Sequence, residues 1–377
     1  MKWQRLAAVA RKETLHVKRD PRALIVGIAI PIMLLVLFGY ALSLDVDRVP
    51  LVVWDQSQTP ASRELISRFE GSRYFALKSY VTGYGAITDN LDKGDAVLAL
   101  VIPADFTLNL GGPAPAHVQL IADGSDSNTA TLAIGYAEAV TQKFSNRILL
   151  SEIRRLGRKP PPEPVNLAPR VWYNKDLQSR NFIIPGLIAV IMMIIAALLT
   201  SLTVAREWET GTIEPLLTTP LKGAELVLGK LFPYFVIGLF DLAVSVIMGR
   251  FLFHVPLRGS VWLLLIQSVI FLVGALCLGM VISIVSKTQL MASQLSFVIT
   301  FLPAFLLSGF MYDVHNMPVP LQLAAELIPA RHFVTLLREL YLKGAGVPIL
   351  IGRASILLAF SVITLFLAIR LFRKRMA

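Results

Sequence analysis

One charged segment of this chain is similar to a site for nucleotide chemistry. It is 205–230, AREWETGTIEPLLTTPLKGAELVLGK, with four acids and three bases between apolar segments. A phosphate-binding loop has four residues between its first glycine and the Gly-Lys pair, followed by serine or threonine. Here five residues separate Gly223 from Gly229, and Leu231 follows Lys230. We therefore expect no nucleotide-binding site in this chain and no enzymatic activity of its own.

The remaining reactive side chains predict neither a catalytic nor a metal site. Asp55, Asp123 and Asp126 lie at predicted strand ends, where carboxylates that form turns are common. His117 is the only histidine in residues 45–180, and the sequence has neither an HExxH motif nor a nucleophile elbow. We expect residues 45–180 to bind or dock rather than to catalyse.

Composition indicates a membrane protein. Apolar residues make up 55% of the 377 positions and charged residues 16%, unlike a soluble globular protein. A helix needs about 20 apolar residues to cross roughly 30 Å of hydrocarbon. The sequence predicts an α-helical polytopic membrane protein with six transmembrane helices and an inserted extracytoplasmic α/β domain. The six apolar runs are 23–44, 181–204, 231–249, 259–286, 288–312 and 347–369.

Lysine and arginine predict the orientation of these helices. The formal net charge is +11, whereas residues 45–180 are neutral, with 15 bases and 15 acids. Of the other bases, 15 lie in 1–22, 205–230, 370–377 and at Lys287, against six in the short segments of the opposite side. By the positive-inside rule both termini are cytoplasmic and residues 45–180 lie outside. Charge that orients helices indicates no nucleic-acid partner.

The pattern along the chain predicts the domain organisation. Residues 1–22 are expected to form an interfacial amphipathic helix, with Trp3, Leu6, Val9 and Leu15 between bases that reach lipid headgroups. Alternatively, both this helix and the amphipathic segment 318–343 pack against the other helices of the protein. The other predicted parts are the first transmembrane helix 23–44, the extracytoplasmic domain 45–180, the five-helix domain 181–377, the cytoplasmic coupling segment 205–222 and an outer amphipathic segment 318–343 broken at Pro329.

Local signals define the elements of the extracytoplasmic domain. VPLVVWD from Val49 predicts a buried strand, and TPASRELISRF predicts a helix capped by Thr59 with Pro60 at its first position. Two further strands and a helix between them follow, then a fourth strand in AHVQLIADGSDSN and a long helix over about 128–156. GRKPPPEPVNLAP, 157–169, is expected to be a stiff connector back to the membrane.

Three stretches resemble one family, the permease subunits of ABC-2-type transporters, in particular the bacterial efflux group with a large extracytoplasmic insert after the first helix. They are RKETLHVKRDPRALIVGIAIPIMLLVLFGYAL at 11–42, the segment 205–230, and ELIPARHFVTLLREL at 326–340. The resemblance covers essentially the whole chain. Its most specific part is 205–230, where these residues look like the family's pattern: Arg206, Glu207, Glu209, Gly211, Thr212, Glu214, Leu216, Pro220, Glu225, Gly229 and Lys230.

The resemblance implies that the loop between the second and third helices docks on a separate ATPase subunit. The residues suit that role, because Gly211 can end the incoming helix and Thr212 can cap a short new one with Glu214 in its first turn. The alternative is a solvated loop with ordinary helix caps. The predicted coupling residues are Arg206, Glu207, Glu209, Gly211, Thr212, Glu214, Leu216, Leu217 and Pro220.

The resemblance also implies the partners. ATP and magnesium are expected on the ATPase, and no cofactor on this chain. A second permease, identical or paralogous, is expected to complete the dimer in the bacterial inner membrane, and membrane lipid and a periplasmic adaptor are further candidate partners.

A candidate pathway follows from the few polar or aromatic features of the spans. Asp241 is the only acid well inside a span, and Phe297, Phe301 and Phe305 recur on one face of the fifth. Spans so poor in charge favour amphipathic or lipid-soluble cargo such as drugs. The alternatives are a lipid or polysaccharide exporter of the same family, a membrane-anchored receptor that senses a ligand, and a membrane-embedded hydrolase.

Overall fold

A computed structural model describes residues 3–42, 47–110, 115–155, 170, 172–174, 178–212 and 221–376. Its contacts divide the chain into two compact units. The helical unit comprises Met1–Ser43 and Arg170–Ala377, and the α/β unit comprises Leu44–Pro169. The predicted proline-rich connector, 157–169, lies outside the described residues.

The helical unit begins with helix α1, Trp3–Arg19. Its buried face carries Val9, Glu13 and Val17, which recur every four residues as helical packing requires. Trp3 and Leu15, placed on the apolar face by the sequence, are exposed. The face that packs on the unit therefore contains a carboxylate, so α1 does not only lie on a surface.

A short helix, Pro21–Leu24, and a π-helical turn, Ile25–Ala29, lead into helix α2, Ile30–Ala41. The apolar stretch Ile25–Ala41 is shorter than the helices that reach spanning length. Its 17 residues extend about 25 Å, less than the hydrocarbon thickness. The first of the six predicted spans thus stays a prediction.

The α/β unit contains a four-stranded sheet in the order β2-β1-β3-β4. Strand β1, Val49–Asp55, pairs in parallel with β2, Phe75–Tyr80, and with β3, Leu98–Ile102. Strand β4, Gln119–Ala122, is antiparallel to β3. The strands that the sequence predicted are therefore present, and the structure adds their order.

Helices cover both faces of this sheet: α3, Pro60–Glu70, α4, Tyr84–Asp92, and α5, Ser127–Arg155. Successive side chains of a strand point to opposite faces of its sheet, so neighbouring residues of β1 pack into two different hydrophobic cores. Leu51 and Val53 pack with residues of α3 and α5, whereas Val52 packs with Ile87 of α4. The predicted cap is confirmed, because the Thr59 hydroxyl accepts a hydrogen bond from the Ser62 amide.

The second part of the helical unit contains helices α6, Ser179–Glu209, α7, Gly223–Phe251, α8, Val261–Val285, α9, Gln289–Leu307, α10, Val319–Glu326, α11, Pro329–Arg338, and α12, Val347–Met376. Within the described part of the chain, α6, α7, α8, α9 and α12 are long and apolar enough to cross a membrane. Helix α6 is central and contacts α2, α7, α8, α9 and α11.

Small residues bring α6 and α8 into close contact. A Cβ atom placed on Gly279 would lie 2.8 Å from the Cα of Ala197. The Thr200 hydroxyl donates to the Leu276 carbonyl, and the Ser283 hydroxyl accepts from the Val204 amide at 2.9 Å. Close backbone approach and hydroxyl hydrogen bonds are the means by which helices associate in lipid.

Segment 318–343, which the sequence predicts to lie outside, divides at Leu327, and Pro329 occupies the first turn of α11. Phe333 of α11 is buried and stacks on Phe271 of α8, with ring centroids 4.1 Å apart. Arg338 donates to the Gly309 carbonyl at 2.9 Å and lies over the Phe182 ring. Helix α11 therefore packs inside the helical unit. This agrees with the alternative prediction for segment 318–343, a packing role in place of an amphipathic surface helix.

Candidate functional site

The charged residues at the end of α6 mark the start of the predicted coupling segment. The helix ends at Glu209, Thr210 is its C-cap, and Gly211 has φ +70°, the left-handed conformation that glycine adopts most readily. The prediction that Gly211 ends the helix agrees with this geometry. The hydroxyls of Thr210 and Thr212 lie 3.0 Å apart. Glu214, Leu216, Leu217 and Pro220 lie outside the described residues.

Four charged side chains join α1, α6 and α7 in what we call the ion cluster: Lys12, Glu13, Glu207 and Lys230. The Lys230 ammonium lies 2.7 Å from Oε1 of Glu207 and 3.0 Å from Oε1 of Glu13. Lys12 lies 2.8 Å from Oε1 of Glu207 and 3.1 Å from Oε1 of Glu13. Glu13, Glu207 and Lys230 are buried, whereas Lys12 is half exposed. Each buried charge therefore has a partner of opposite sign, as burial demands.

Gly229 permits the close approach that the ion cluster requires. A Cβ atom at this position would lie 2.8 Å from Cβ of Val9 and 3.2 Å from the Leu6 carbonyl oxygen. Helix α1 thus lies directly on the backbone of α7. The Gly229-Lys230 pair, which is similar to the end of a phosphate-binding loop, instead provides space and charge for α1.

Two other coupling residues attach the end of α6 to its neighbours. Arg206 donates through Nη1 to Asp20 at 2.6 Å and through Nε to Gln289 at 3.1 Å. Nη1 also lies 3.2 Å from Nε2 of His16. Glu209 accepts hydrogen bonds from both the amide and the side chain of Gln289 at 3.0 Å. The last turn of α6 is therefore bound to α1 and to the first turn of α9.

The surroundings of Glu13, Lys12 and Glu209 favour the charged form of each side chain. Burial by itself raises the pKa of Glu13, but the charges of Lys230 and Lys12 outweigh it, so that the pKa lies below its ordinary value. Burial by itself lowers the pKa of Lys12, but its hydrogen bonds to Glu207 and Glu13 and their negative charges outweigh it, so that the pKa lies above its ordinary value. The bonds from Gln289 lower the pKa of the Glu209 carboxyl. Glu13, Lys12 and Glu209 are therefore charged at neutral pH.

A cavity of about 500 Å³ opens beside the ion cluster. Charged and apolar side chains both line it, and most of the lining residues belong to α1 and α6. Glu207 is one of the lining residues, although its second carboxylate oxygen, Oε2, is fully buried and has no hydrogen-bond partner among the described residues. The lining residues are Lys12, Glu13, His16, Val17, Asp20, Val26, Leu199, Leu202, Thr203, Arg206, Glu207, Thr210, Thr212 and Tyr234.

Asp241 lies elsewhere, in the middle of α7. It is 5% exposed, and its Oδ1 has no hydrogen-bond partner among the described residues. The cavity beside it measures about 10 Å³ and is lined by α6, α7 and α8 residues such as Ile191, Ser245 and Leu272. A space of that size holds about one water molecule, and none of its lining residues belongs to α9. The structure therefore does not bring Asp241 together with the phenylalanine stripe of α9.

The stripe itself is present on α9. Ring centroids of Phe297 and Phe301 lie 4.5 Å apart, and those of Phe301 and Phe305 lie 5.5 Å apart. Phe297–Phe301 forms a π-helical turn just before Pro303, whose missing amide hydrogen interrupts the regular helix. Phe297 is 51% exposed on the helical unit. Phe301 and Phe305 are partly buried, so the stripe is exposed mainly at Phe297.

Sequence reasoning did not assign the partners in the ion cluster. It placed Lys12 and Glu13 in a surface helix, and it considered Lys230 only as part of a sequence that does not match a phosphate-binding loop. A signal was available, since Glu13 recurs at helical spacing with Val9 and Val17. That spacing places a carboxylate on the packing face of α1 and calls for a buried base opposite.

The chain is similar to known proteins over nearly its full length. The family described as ABC-2 family transporter protein matches residues 22–370. The probable multidrug ABC transporter permease YbhS of Escherichia coli (strain K12) is 34% identical over 370 residues, 96% of this chain and 95% of that protein. The probable multidrug ABC transporter permease YbhR of the same organism is 32% identical over 373 residues, 99% of both. The linearmycin resistance permease protein LnrN of Bacillus subtilis (strain 168) is 22% identical over 378 residues, 96% of this chain and 97% of that protein.

Proposed function

This chain belongs to the ABC-2 family of transporter proteins, and we propose that it is the transmembrane permease subunit of an ATP-driven exporter. A separate ATPase subunit binds ATP and magnesium and docks on the coupling segment 205–222. ATP binding and hydrolysis then shift the permease between two packings of its helices, and the cargo's preference for one of them sets the direction.

The ion cluster is the observation that carries this proposal. Glu207 lies near the start of the coupling segment and Lys230 lies after its end, yet their charged atoms are 2.7 Å apart. Glu13 ties α1 to the same point. A force applied to the coupling segment would therefore move α1, α6 and α7 together. Arg206 and Glu209 extend the connection to α9 through Gln289.

The cargo in this proposal is amphipathic or hydrophobic, and drugs are the first candidates. The predicted spans contain one acid and no base away from their ends, which suits molecules that partition into lipid. The names of the two Escherichia coli relatives refer to multidrug transport. The chain lies in the bacterial inner membrane with both termini in the cytoplasm, as the distribution of lysine and arginine favours.

We also propose a dimer of permeases, in which the second copy is identical or paralogous. The Phe297, Phe301 and Phe305 stripe is the candidate seam, because it is apolar, ordered by stacking and partly exposed. The α/β unit is a docking module and is the part that would meet a periplasmic adaptor.

The test is purification of the tagged protein in mild detergent from its native host. We expect an ABC-type ATPase to copurify with the wild type, and Glu214→Arg or the pair Leu216→Asp and Leu217→Asp to abolish transport while insertion and folding are kept. Asp89→Arg, a charge reversal on the exposed surface of α4, is the matched control and is expected to retain both ATPase copurification and transport. Copurification and cargo-stimulated turnover that survive all three loop changes would refute the docking role.

A further inference from the structure

The charged groups that line the cavity beside the ion cluster differ in exposure according to their sign. The side chains of the three lining acids, Glu13, Glu207 and Asp20, are 5%, 11% and 16% exposed, and each lies within 3.1 Å of a base. The side chains of the lining lysine and arginine, Lys12 and Arg206, are 51% and 35% exposed. A molecule that enters the cavity therefore reaches the bases more readily than the acids.

Lys12 and Arg206 also have donors that their ion pairs do not use. The Lys12 ammonium has three N–H groups and donates to Glu13 and to Glu207. Arg206 donates through Nε and Nη1, and its Nη2 makes no hydrogen bond to a described residue. Partly exposed cationic donors of this kind bind the oxygens of carboxylates and phosphates. The polar part of the cavity is therefore suited to an anion.

Apolar side chains line the same cavity, so a simple inorganic anion would leave much of it unfilled. Leu202 precedes Arg206 by one turn of α6, a rise of about 6 Å. The cavity volume of about 500 Å³ lies within the range of about 300–1,000 Å³ that is usual for ligand pockets. A ligand with an anionic head and an apolar chain fits these walls. The apolar and aromatic lining residues are Val17, Val26, Leu199, Leu202 and Tyr234.

Helix α1, which supplies Lys12, is suited to a membrane surface that contains anionic lipid. Its 17 residues include five lysine and arginine residues and one acid. Arg11, Lys18 and Arg19 are exposed. Bases near a membrane surface attract anionic lipids. The helix therefore favours anionic lipid over zwitterionic lipid beside the cavity.

We propose that this cavity binds the head group of an anionic phospholipid, of the phosphatidylglycerol class. The phosphate contacts Lys12 and Arg206, and the first part of an acyl chain lies along Leu202 and Val26. A phosphatidylcholine or phosphatidylethanolamine head has an additional cation, which the two bases repel. The bound lipid joins α1 to α6. This inference goes beyond the proposed export function, because it requires the family's place in a membrane and not the docking of an ATPase.

The test is native mass spectrometry of the purified, delipidated full-length chain titrated with single lipids. Dioleoylphosphatidylglycerol is expected to bind about tenfold more tightly than dioleoylphosphatidylcholine or dioleoylphosphatidylethanolamine, the difference that one charge-assisted hydrogen bond makes. Glycerol 3-phosphate, which has the phosphate without acyl chains, is expected not to displace the lipid at equal concentration. Because the assay contains no ATPase, a failure of ATPase docking leaves its result unchanged.

Substitution of Lys12 tests the contact with the phosphate. Lys12→Gln is expected to weaken binding of phosphatidylglycerol by about tenfold and to remove most of the preference over phosphatidylcholine. Lys230 still pairs with Glu13 and Glu207 in this variant, so neither acid loses its last partner. Lys18→Gln removes the same charge from an exposed position of α1 outside the cavity lining. It is the matched control and is expected to weaken binding by less than about twofold.

Substitution of Leu202 tests the contact with the acyl chain and leaves every charge in place. Leu202→Trp puts a larger side chain into the lining and is expected to weaken binding of phosphatidylglycerol by about tenfold, because it displaces one or two methylene groups. Leu198→Trp, one turn away on α6 and outside the cavity lining, is the matched control and is expected to bind like the wild type.

Four outcomes would overturn the proposal. The first is equal binding of phosphatidylglycerol and phosphatidylcholine by the wild type. The second is an equal loss in Lys12→Gln and Lys18→Gln, which would assign the attraction to the surface of α1 as a whole. The third is equal binding by Leu202→Trp and Leu198→Trp, which would place the acyl chain elsewhere. The last is displacement of the lipid by glycerol 3-phosphate at equal concentration, which would make the cavity a site for free phosphate groups.

Discussion

The ammonium of Lys230 lies 2.7 Å from a carboxylate oxygen of Glu207, a residue of the segment that the family resemblance predicts to dock on an ATPase. Lys230 is 1% exposed and Glu207 is 8% exposed. A buried ion pair contributes little net stability, since desolvation offsets most of its attraction, but loss of one partner leaves a buried charge. The pair therefore acts as a geometric link between α6 and α7.

Removal of Lys230 tests this link. Lys230→Met keeps the length of the side chain but leaves Glu13 and Glu207 with only Lys12. We expect the free energy of unfolding to fall by about 3 kcal/mol, measured by thermal and denaturant unfolding in detergent. Lys287→Met, at an exposed position just before α9, is the control and is expected to change it by less than about 0.5 kcal/mol. Equal stability of the two variants would show that the link is unimportant.

Gly229 tests the contact between α1 and α7. Alanine usually stabilises an exposed helix by up to about 1 kcal/mol relative to glycine. At position 229 its Cβ would lie 2.8 Å from Val9, so we expect Gly229→Ala to destabilise the protein by about 1–3 kcal/mol. Gly352→Ala in α12 has no atom within 4 Å of the new Cβ and is expected to stabilise. A stabilised Gly229→Ala variant would mean that α1 does not pack there.

These two positions show where sequence reasoning is limited. The elements of the α/β unit were predictable because their signals are local: Thr59 and Pro60 begin a helix, and alternating apolar residues define the strands. Glu13 and Lys230 are 217 positions apart, and only the packing of α1 on Gly229 brings them together. Neither the net charge nor the spacing of motifs predicts that Glu13 pairs with Lys230.

Glu13 makes the docking of α1 dependent on pH. Its folded-state pKa lies below the ordinary value of 4.5, so its stabilising contribution is complete above that value and is lost as the pH falls through the folded-state pKa. We expect the difference in unfolding temperature between wild type and Glu13→Gln to be constant from pH 7 to about 5 and to shrink below that. A difference that grows as the pH falls would contradict the sign of this linkage.

A cysteine at position 301 tests the permease seam. The native Cys277 is buried, so Cys277→Ser gives a background without reactive thiols. In it, Phe301→Cys is expected to cross-link two permeases, or to be protected from thiol reagents by cargo. Phe366→Cys, exposed on α12, is the control. If Phe301→Cys reacts only with lipid-soluble reagents and shows neither effect, the stripe faces lipid.

Substitution of Asp241 distinguishes a role in helix packing from a role in cargo selection. A carboxylate inside a span is costly and usually faces protein or water, and here it faces α6 within a cavity of about 10 Å³, too small to admit cargo. Asp241→Asn keeps a polar group that cannot ionise, so we expect near-normal efflux of cationic and neutral compounds alike, measured by drug resistance at matched expression. Selective loss of cationic compounds would show instead that the carboxylate recognises their charge, which requires Asp241 to become accessible in another packing of α6 and α7. Equal loss of both classes would refute each role and place Asp241 in the conformational change itself, where the same two helices are joined by Lys230 and Glu207.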